Sequence, residues 1–389
     1  MTLKTPVSKL PTTGTTIFTV MSQLAEQHGA VNLSQGFPDF DPPRRLIELV
    51  SEHLEAGNNQ YAPMAGVVAL REAIVAAIDR RYEVAADAES EVTITSGATE
   101  ALFCAILALA RPDDEVIVFD PAYDSYEPAV TLAGARTVHL PLDPPDFQID
   151  WDRLGEALNA RTRLVVINSP HNPTGTLLIR DDLEHFAETL APYDCYVISD
   201  EVYEHIAFDA AGHSSILAHP ALRERGIAIS SFGKTFHATG WKVCYAVGPE
   251  SLTAELRRVH QFCTFATTTP IQHAIAAYLQ EHPDHYLALP TFYREKRDHL
   301  LSVMSETPFR FTPAQGTYFQ LADYSAISGL NDVEFSRRLT IDYGVATIPI
   351  SVFYESPPVS HLVRFCFAKE TSTLDEAAHR LVELRQFEK

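Results

Sequence analysis

Basic residues are in short supply in this 389-residue chain: 30 lysines and arginines stand against 51 aspartates and glutamates, a net charge of −21. A nucleic-acid partner needs a basic face, and an anionic membrane needs a polybasic patch, so both are disfavoured. A few local cations can still dominate one pocket. Cysteine is scarce too. Cys104, Cys195, Cys244, Cys263 and Cys366 are scattered, odd in number and mostly inside apolar runs, with no Cys-x-x-Cys pair. That favours reduced core thiols in a cytoplasmic protein over a disulfide framework. His260 and Cys263 can share a helical face, but no second ligand pair follows, so no metal site is expected. Long apolar runs are missing: the most apolar stretch, residues 101–110, is too short to span a bilayer. Residues 1–12 are polar and lack an apolar h-region, so no signal peptide is expected. There is no internal repeat, and no Gly/Ser linker marks a domain boundary.

What is present supports a sizeable core, with 46% hydrophobic residues in a chain long enough for a large and a small lobe. Residues 1–30 read as an arm followed by a short helix over 18–28. Helical periodicity covers 44–56 and 66–82, with a loop over 57–63 between them. From residue 92 short β-runs alternate with helices. Strands are predicted over 92–95, 115–119, 164–168, 195–199, 227–231 and 243–247, and an apolar helix over 98–110. Strands apolar throughout and separated by helices predict a mostly parallel sheet covered on both faces. Ligands on such sheets bind beyond the carboxyl ends of the strands. Residues 250–281 are expected to be helical and to lead out of this domain. Beyond them, helices over 285–304, 332–343 and 374–386 mix with strands over 317–321 and 362–367. With the N-terminal segment they are expected to form the second lobe: 1–44 as arm and part of the small domain, 45–284 as the large domain, 285–389 as the small C-terminal domain.

Lys234 is the most informative single residue. The β-run 227–231 delivers it and breaks at Gly233, so the lysine falls at a strand end. Ser231 stands three residues before it and Lys242 eight after. This arrangement suits a lysine that condenses with the aldehyde of pyridoxal phosphate, while Ser231 and Lys242 hold the phosphate; the plain alternative is a loop lysine beside a turn glycine. Ser96-Gly97-Ala98-Thr99-Glu100 joins a strand to a helix. Its free N–H groups at Ala98 and Thr99 suit a phosphate, or Ser96 is a simple N-cap. Tyr123 can stack on a flat ring or serve as a core aromatic. The proline-rich turn 168–175 is rigid and presents Asn172. Asp200 ends an apolar strand and needs a cation, which a protonated pyridine nitrogen would supply, unless it merely caps the next segment. Tyr203 can bond the phenolic oxygen of the same ring. Arg364 lies in the apolar strand Leu362-Val363-Arg364-Phe365-Cys366-Phe367. A guanidinium there needs an anion, either a substrate α-carboxylate or an internal salt bridge.

Taken together, these residues identify a resemblance that covers nearly the whole chain. The sequence resembles the fold-type-I, class I/II pyridoxal-phosphate aminotransferases, and within them the bacterial methionine aminotransferases and the kynurenine/glutamine transaminase group. The segments that carry it are Leu33-Ser34-Gln35-Gly36-Phe37-Pro38-Asp39-Phe40, Asn59-Gln60-Tyr61-Ala62-Pro63-Met64, Ser96-Gly97-Ala98-Thr99-Glu100, Ser169-Pro170-His171-Asn172-Pro173-Thr174-Gly175, Ser199-Asp200-Glu201-Val202-Tyr203, Ser231-Phe232-Gly233-Lys234-Thr235-Phe236 and Thr239-Gly240-Trp241-Lys242. The resemblance implies an α/β fold with a mostly parallel seven-stranded sheet and a smaller α+β domain. It implies that Lys234 carries the cofactor, Asp200 pairs with the pyridine nitrogen, and Asn172 and Tyr203 bond the ring 3-oxygen. Tyr123 would stack on the ring, and Gly97, Ala98, Thr99, Ser231 and Lys242 would surround the phosphate. Tyr61 would reach the phosphate region of a neighbouring subunit, making the active unit a homodimer. Gly36, Asn172 and Arg364 would flank the substrate carboxylate, and Phe18 and Phe265 would line the side-chain pocket. Cys244 stands where the family pattern leads one to expect glycine, with no evident role.

The implied reaction is a ping-pong transfer of an amino group from methionine, an aromatic amino acid, glutamine or kynurenine to a 2-oxo acid. The freed Lys234 amine would be the base that takes the Cα proton. No second arginine is evident for a side-chain carboxylate, which argues against an aspartate specialist. A cysteine-conjugate C–S β-lyase on the same fold is the alternative, since it would keep nearly all of these residues. A ligand-sensing module of a transcription regulator would need a basic winged-helix segment, and the first 30 residues are too short and not basic.

Overall fold

Strands that are buried on both faces form the centre of the molecule. The computed structural model describes residues 6–208 and 212–384. Its strands, in chain order, are β1 (Val31–Asn32), β2 (Val92–Thr95), β3 (Glu115–Asp120), β4 (Arg136–Pro141), β5 (Thr162–Asn168), β6 (Tyr196–Asp200), β7 (Gly226–Ser231), β8 (Cys244–Val247), β9 (Phe319–Asp323), β10 (Val345–Ala346), β11 (Ile348–Pro349) and β12 (Leu362–Cys366). Seven of them make one sheet in the order β2-β8-β7-β6-β5-β3-β4. Only β8 runs against its neighbours; the other pairings are parallel. Every residue of β2, β3, β7 and β8 is buried. This is the pattern of a sheet covered on both faces, as the unbroken Val and Ile runs predict.

The strand β4 was not anticipated. It lies at the sheet edge and carries Arg136, Thr137 and His139, so it lacks the apolar run that marks its neighbours. The helical stretch 250–281 also departs from expectation. It forms two helices, Glu250–Cys263 and Thr269–Glu281. The first packs on the helix Ala98–Leu109 and the second on Arg44–Glu55 and Val68–Tyr82, so both stay with the large sheet rather than leading away. Buried Leu252 and Leu256 on one, and Ala274, Ile275 and Tyr278 on the other, supply the apolar stripe that holds them there.

A second, smaller sheet is antiparallel in the order β11-β12-β9. Its strand β9 begins at Phe319 rather than Thr317, because Thr317 has φ 64°, in the left-handed region, and ends the extended run on that side. The N-terminal segment joins this layer: β1 pairs with β10, and the Cys366 N–H donates to the Leu33 carbonyl at 2.9 Å. Leu33, Tyr318, Phe319, Phe365 and Phe367 share one core there. The predicted C-terminal helix is Thr371–Val382; its anticipated last residues, 385 and 386, lie outside the described part of the chain. Among the described residues no helix is long and apolar enough to cross a membrane.

The register fixes what meets at the carboxyl edge of the large sheet. Asn168 of β5 is paired with Asp200 of β6, and Cys244 faces both Thr95 of β2 and Ser231 of β7. Polar strand-end residues are thereby gathered in one row above an apolar floor. Ile198, in the middle of β6, is wholly buried between two neighbouring strands. Ile198→Ala is expected to lower the unfolding free energy of the apoprotein by about 2–5 kcal/mol in urea titrations at fixed protein concentration. A change under about 0.5 kcal/mol would contradict this packing.

Candidate active site

One cavity of about 250 Å³ lies between the carboxyl edge of the large sheet and the smaller sheet. Of the residues singled out from sequence, Phe18, Gly36, Gly97, Ala98, Thr99, Tyr123, Asn172, Asp200, Tyr203, Ser231, Lys234, Lys242 and Arg364 all line it. Tyr61 and Phe265 do not. They lie outside, 86% and 42% exposed, and meet edge to face with ring centroids 5.5 Å apart.

Lys234 follows β7 in the one-turn helix Phe232–Thr235. Its Nζ donates to Tyr318 Oη at 2.6 Å and to the Gly36 carbonyl at 3.3 Å. Tyr318 donates to the same carbonyl at 2.6 Å. The ammonium also lies over the rings of Tyr203 and Tyr318. Part of the side chain faces the cavity, but protein surrounds it closely. Burial pushes Lys234 down to about 8; Arg364 adds to the shift, while Cys366, Cys244 and Asp200 oppose it. A lysine with a much larger neutral fraction near pH 8 is a usable nucleophile and base.

Asp200 ends β6 and is buried. Burial raises its pKa to about 6, against the bonds from Tyr126 and the Val202 N–H and the attraction of Lys234. Tyr126 donates to Oδ2 at 2.7 Å. Asn168 bridges to the neighbouring loop: its Nδ2 donates to the Asp200 carbonyl at 2.7 Å and its Oδ1 accepts the Asn172 N–H at 2.8 Å. The result is a fixed carboxylate ready for a cation.

A third cluster suits a phosphate. The helix Ala98–Leu109 opens at Gly97, whose φ is 93°. A Cβ on Gly97 would come within 2.8 Å of Lys242 Nζ, so the absent side chain lets the ammonium sit against the helix N-terminus. Lys242 itself has φ 55°, in the left-handed region that non-glycine residues rarely adopt. Ser231 lies opposite, and Cys244 donates to its Oγ at 3.2 Å. The cysteine that had no evident role therefore occupies part of the wall and orients this hydroxyl. Exposed amide N–H groups, a dipole end, an ammonium and a hydroxyl are the components of an anion site.

Arg364 on β12 is 1% exposed. Nη1 donates to Asn172 Oδ1 at 2.7 Å and Nη2 to the Ser34 carbonyl at 3.1 Å. The guanidinium stacks 3.8 Å from the Phe319 ring centroid, and Nε is buried with no partner. Its bonding partners are neutral oxygens, so the internal salt bridge is not formed among the described residues. Burial lowers Arg364 to about 10, with Tyr203, Cys366, Tyr318 and Asp124 opposing. A buried cation with a donor to spare is costly until an anion arrives.

The sequence reading missed Tyr318, Tyr126 and Asn168. The available signal was weak: a tyrosine inside an apolar strand or helix needs a partner for its hydroxyl. Which partner it finds depends on chain segments 84 and 74 residues away.

A carboxylate placed for a pyridinium, a recessed amine for an aldehyde and a cradle for a phosphate fit pyridoxal phosphate. The chain belongs to the family Aminotransferase class I and II, whose model matches residues 28–381. It is an aminotransferase, and the cofactor of this family is pyridoxal phosphate. It is 55% identical over 379 residues, 97% of this chain and 98% of the relative, to a methionine aminotransferase of Escherichia coli (strain K12). It is 32% identical over 420 residues, 98% of this chain and 97% of the relative, to a kynurenine–oxoglutarate transaminase of Dictyostelium discoideum. A solved Escherichia coli structure, for which a methionine aminotransferase function was identified, aligns with a TM-score of 0.96 at 55% identity, covering 98% of this chain and 100% of that one.

The lowered Lys234 pKa makes a direct prediction. Only the neutral amine attacks an aldehyde, so capture of pyridoxal phosphate by the apoprotein should accelerate as pH rises through about 8 and then level off. Stopped-flow absorbance across pH 6–10 (a span of about four units around that value) reads it. A rate still climbing toward the ordinary lysine value of 10.5 would contradict the desolvated site.

Proposed function

We propose that this aminotransferase takes its amino group from methionine, aromatic amino acids, glutamine or kynurenine and passes it to a 2-oxo acid in a ping-pong cycle. The observation that carries the donor class is the charge inventory of the cavity. Among the described residues that line it, the only cations are Lys234, Lys242 and Arg364. Each has a use in the shared chemistry, which leaves none for a second carboxylate on the donor. Phe18, Tyr123 and Phe319 supply apolar and aromatic wall instead. The resemblance to methionine and kynurenine aminotransferases supports the same class.

When bound, the cofactor supplies an aldehyde that takes up the amino group and a ring that withdraws the electron pair left at Cα. Ala98, Thr99, Ser231 and Lys242 would hold its phosphate, with Gly97 giving them room. Asp200 would keep the ring nitrogen protonated, and its raised pKa favours any partner that brings a positive charge. Asn172 and Tyr203 would bond the ring oxygen, and Tyr123 would cover the ring face. The Asn172 amide already has its oxygen on Arg364, so its nitrogen is left to donate. Arg364 would take the substrate α-carboxylate through Nε and one Nη, beside Gly36. Lys234 Nζ, increasingly neutral toward pH 8, would accept the Cα proton and later return it; Tyr318 and the Gly36 carbonyl hold that nitrogen in place.

The working unit in this reading is a cytoplasmic homodimer in which Tyr61 reaches the neighbouring phosphate site and Phe265 borders a side-chain pocket. Their exposure as an aromatic pair outside their own cavity supports an intersubunit role. The division into a large domain over 45–284, and a small one built from 1–44 and 285–389, belongs to the same proposal.

Two substitutions test it. Lys234→Ala should abolish turnover while preserving the circular-dichroism spectrum and unfolding midpoint to within a few degrees. Arg364→Ala should lower kcat/KM for every donor by about 2–4 kcal/mol, seen mainly in KM, because a buried charge-assisted pair is lost. An unchanged KM would remove Arg364 from the substrate site. Formation of 2-oxo acid from methionine should require an acceptor, whereas acceptor-independent pyruvate and ammonia from a cysteine conjugate would favour the β-lyase.

A further inference from the structure

The helix Ala98–Leu109 packs against the helix Glu250–Cys263. The contact brings together two pairs of ligand-type side chains. Glu100 and Cys104 are four residues apart on the first helix, and His260 and Cys263 are three apart on the second, so each pair shares a face. Glu100 Oε1 accepts from Cys104 Sγ at 2.9 Å and lies 2.8 Å from His260 Nδ1. One donor atom from each of these three residues lies within 4.8 Å of the others. Cys263, three residues on from His260 along the same helical face, is exposed and lies outside that cluster of three, whereas Cys104 and His260 are fully buried.

The hydrogen count at His260 calls for one cation, a proton or a metal. Its Nε2 is 3.0 Å from the Met64 carbonyl, which can only accept, so Nε2 carries a hydrogen. In a neutral ring Nδ1 is then a lone pair facing a carboxylate oxygen that already accepts from a thiol. An additional proton must sit between Nδ1 and Oε1, or a cation must take its place. The outer contacts fit the second arrangement. A metal-bound imidazole ordinarily donates its other N–H to a carbonyl, as Nε2 does here, and a ligating carboxylate is ordinarily hydrogen-bonded, as Glu100 Oε2 is by the Ser96 N–H at 2.9 Å.

We propose that the clustered Glu100, Cys104 and His260, joined by the Cys263 thiol from the exposed end of the same helical face when a metal enters, form a binding site for a borderline-soft divalent transition metal, of which zinc is the type. Two sulfurs, one imidazole nitrogen and one carboxylate oxygen suit tetrahedral zinc or cobalt and do not suit magnesium or calcium. Binding replaces three hydrogens: the two thiol protons and the one shared by Nδ1 and Oε1. The site then changes from neutral to a net charge of −1, and three protons pass to solvent. The helical spacing of His260 and Cys263 supplies only half a ligand set; the other half comes from a helix about 160 residues earlier in the chain. The site is separate from the residues assigned to cofactor and substrate, so its test does not depend on that assignment.

The test is cobalt titration of the reduced holoenzyme after chelator treatment. Cobalt in a tetrahedral, thiolate-containing site absorbs strongly at visible wavelengths beyond the cofactor bands. Saturation near one equivalent, with reversal by zinc, is expected. Cys263→Ser, on the surface, and Cys104→Ala, a small change in the core, should each weaken cobalt binding by more than about tenfold, the loss that a change at an outer-shell partner alone already brings. Both should keep the cofactor absorbance and metal-free transamination. No strong visible absorption at one equivalent, or wild-type affinity in both variants, would overturn the site.

Discussion

Removing charged groups from water is the constraint on which the rest of this structure depends. Lys234, Asp200 and Arg364 are held within one cavity, and none is neutralised by a direct ion pair with another. Each unpaired buried charge costs several kcal/mol, so their neighbours are chosen to limit the cost without cancelling the charge. Carbonyls of Gly36 and Ser34, the hydroxyls of Tyr318 and Tyr126, and the amide of Asn172 do this. What remains is reactivity: an amine drawn down to about 8 and a carboxylate drawn up to about 6.

The two layers divide the work. The inner strands of the large sheet are mostly apolar on both faces, so chemically active residues gather at their carboxyl ends, and the parallel strands put those ends in one row. That row supplies Asp200, Ser231 and, just beyond it, Lys234. The smaller layer supplies the anion-seeking end. Arg364 is fixed on β12, which is tied to the N-terminal segment through Leu33, and the same segment brings Gly36 and Gln35 to the cavity wall. Gln35 also holds the first helix in place by donating to the Phe18 carbonyl at 3.0 Å. In the proposed reading, phosphate recognition and carboxylate recognition therefore sit on different layers, with the Lys234 amine between them.

Much of this was legible in the sequence, for identifiable reasons. The strand over 92–95 and the helix over 332–343 coincide with the structure because each is a pure run of its own periodicity. Asp200, Lys234 and Arg364 were recognisable because a charged residue in or at the end of an apolar strand demands an explanation. The edge strand β4 was hidden by its own polar residues, and the start of β9 by the left-handed Thr317. Tyr318, Tyr126 and the pairing of Glu100 with His260 were illegible for a different reason. Each is a contact between distant segments, and local pattern carries no information about which helix faces which. Cys244 was visible as a departure from the family pattern, but its contact with Ser231 emerged only from the strand register.

The most direct measurement is a half-reaction titration of the purified holoenzyme. Methionine, phenylalanine, glutamine, kynurenine and aspartate are added one at a time, without an acceptor, while the absorbance of the lysine-bound cofactor is followed. The account predicts that methionine and the aromatic donors bleach that absorbance stoichiometrically, that aspartate does so poorly, and that a 2-oxo acid restores it. An absorbance that survives saturating methionine and aromatic donors, or one bleached best by aspartate, would contradict it.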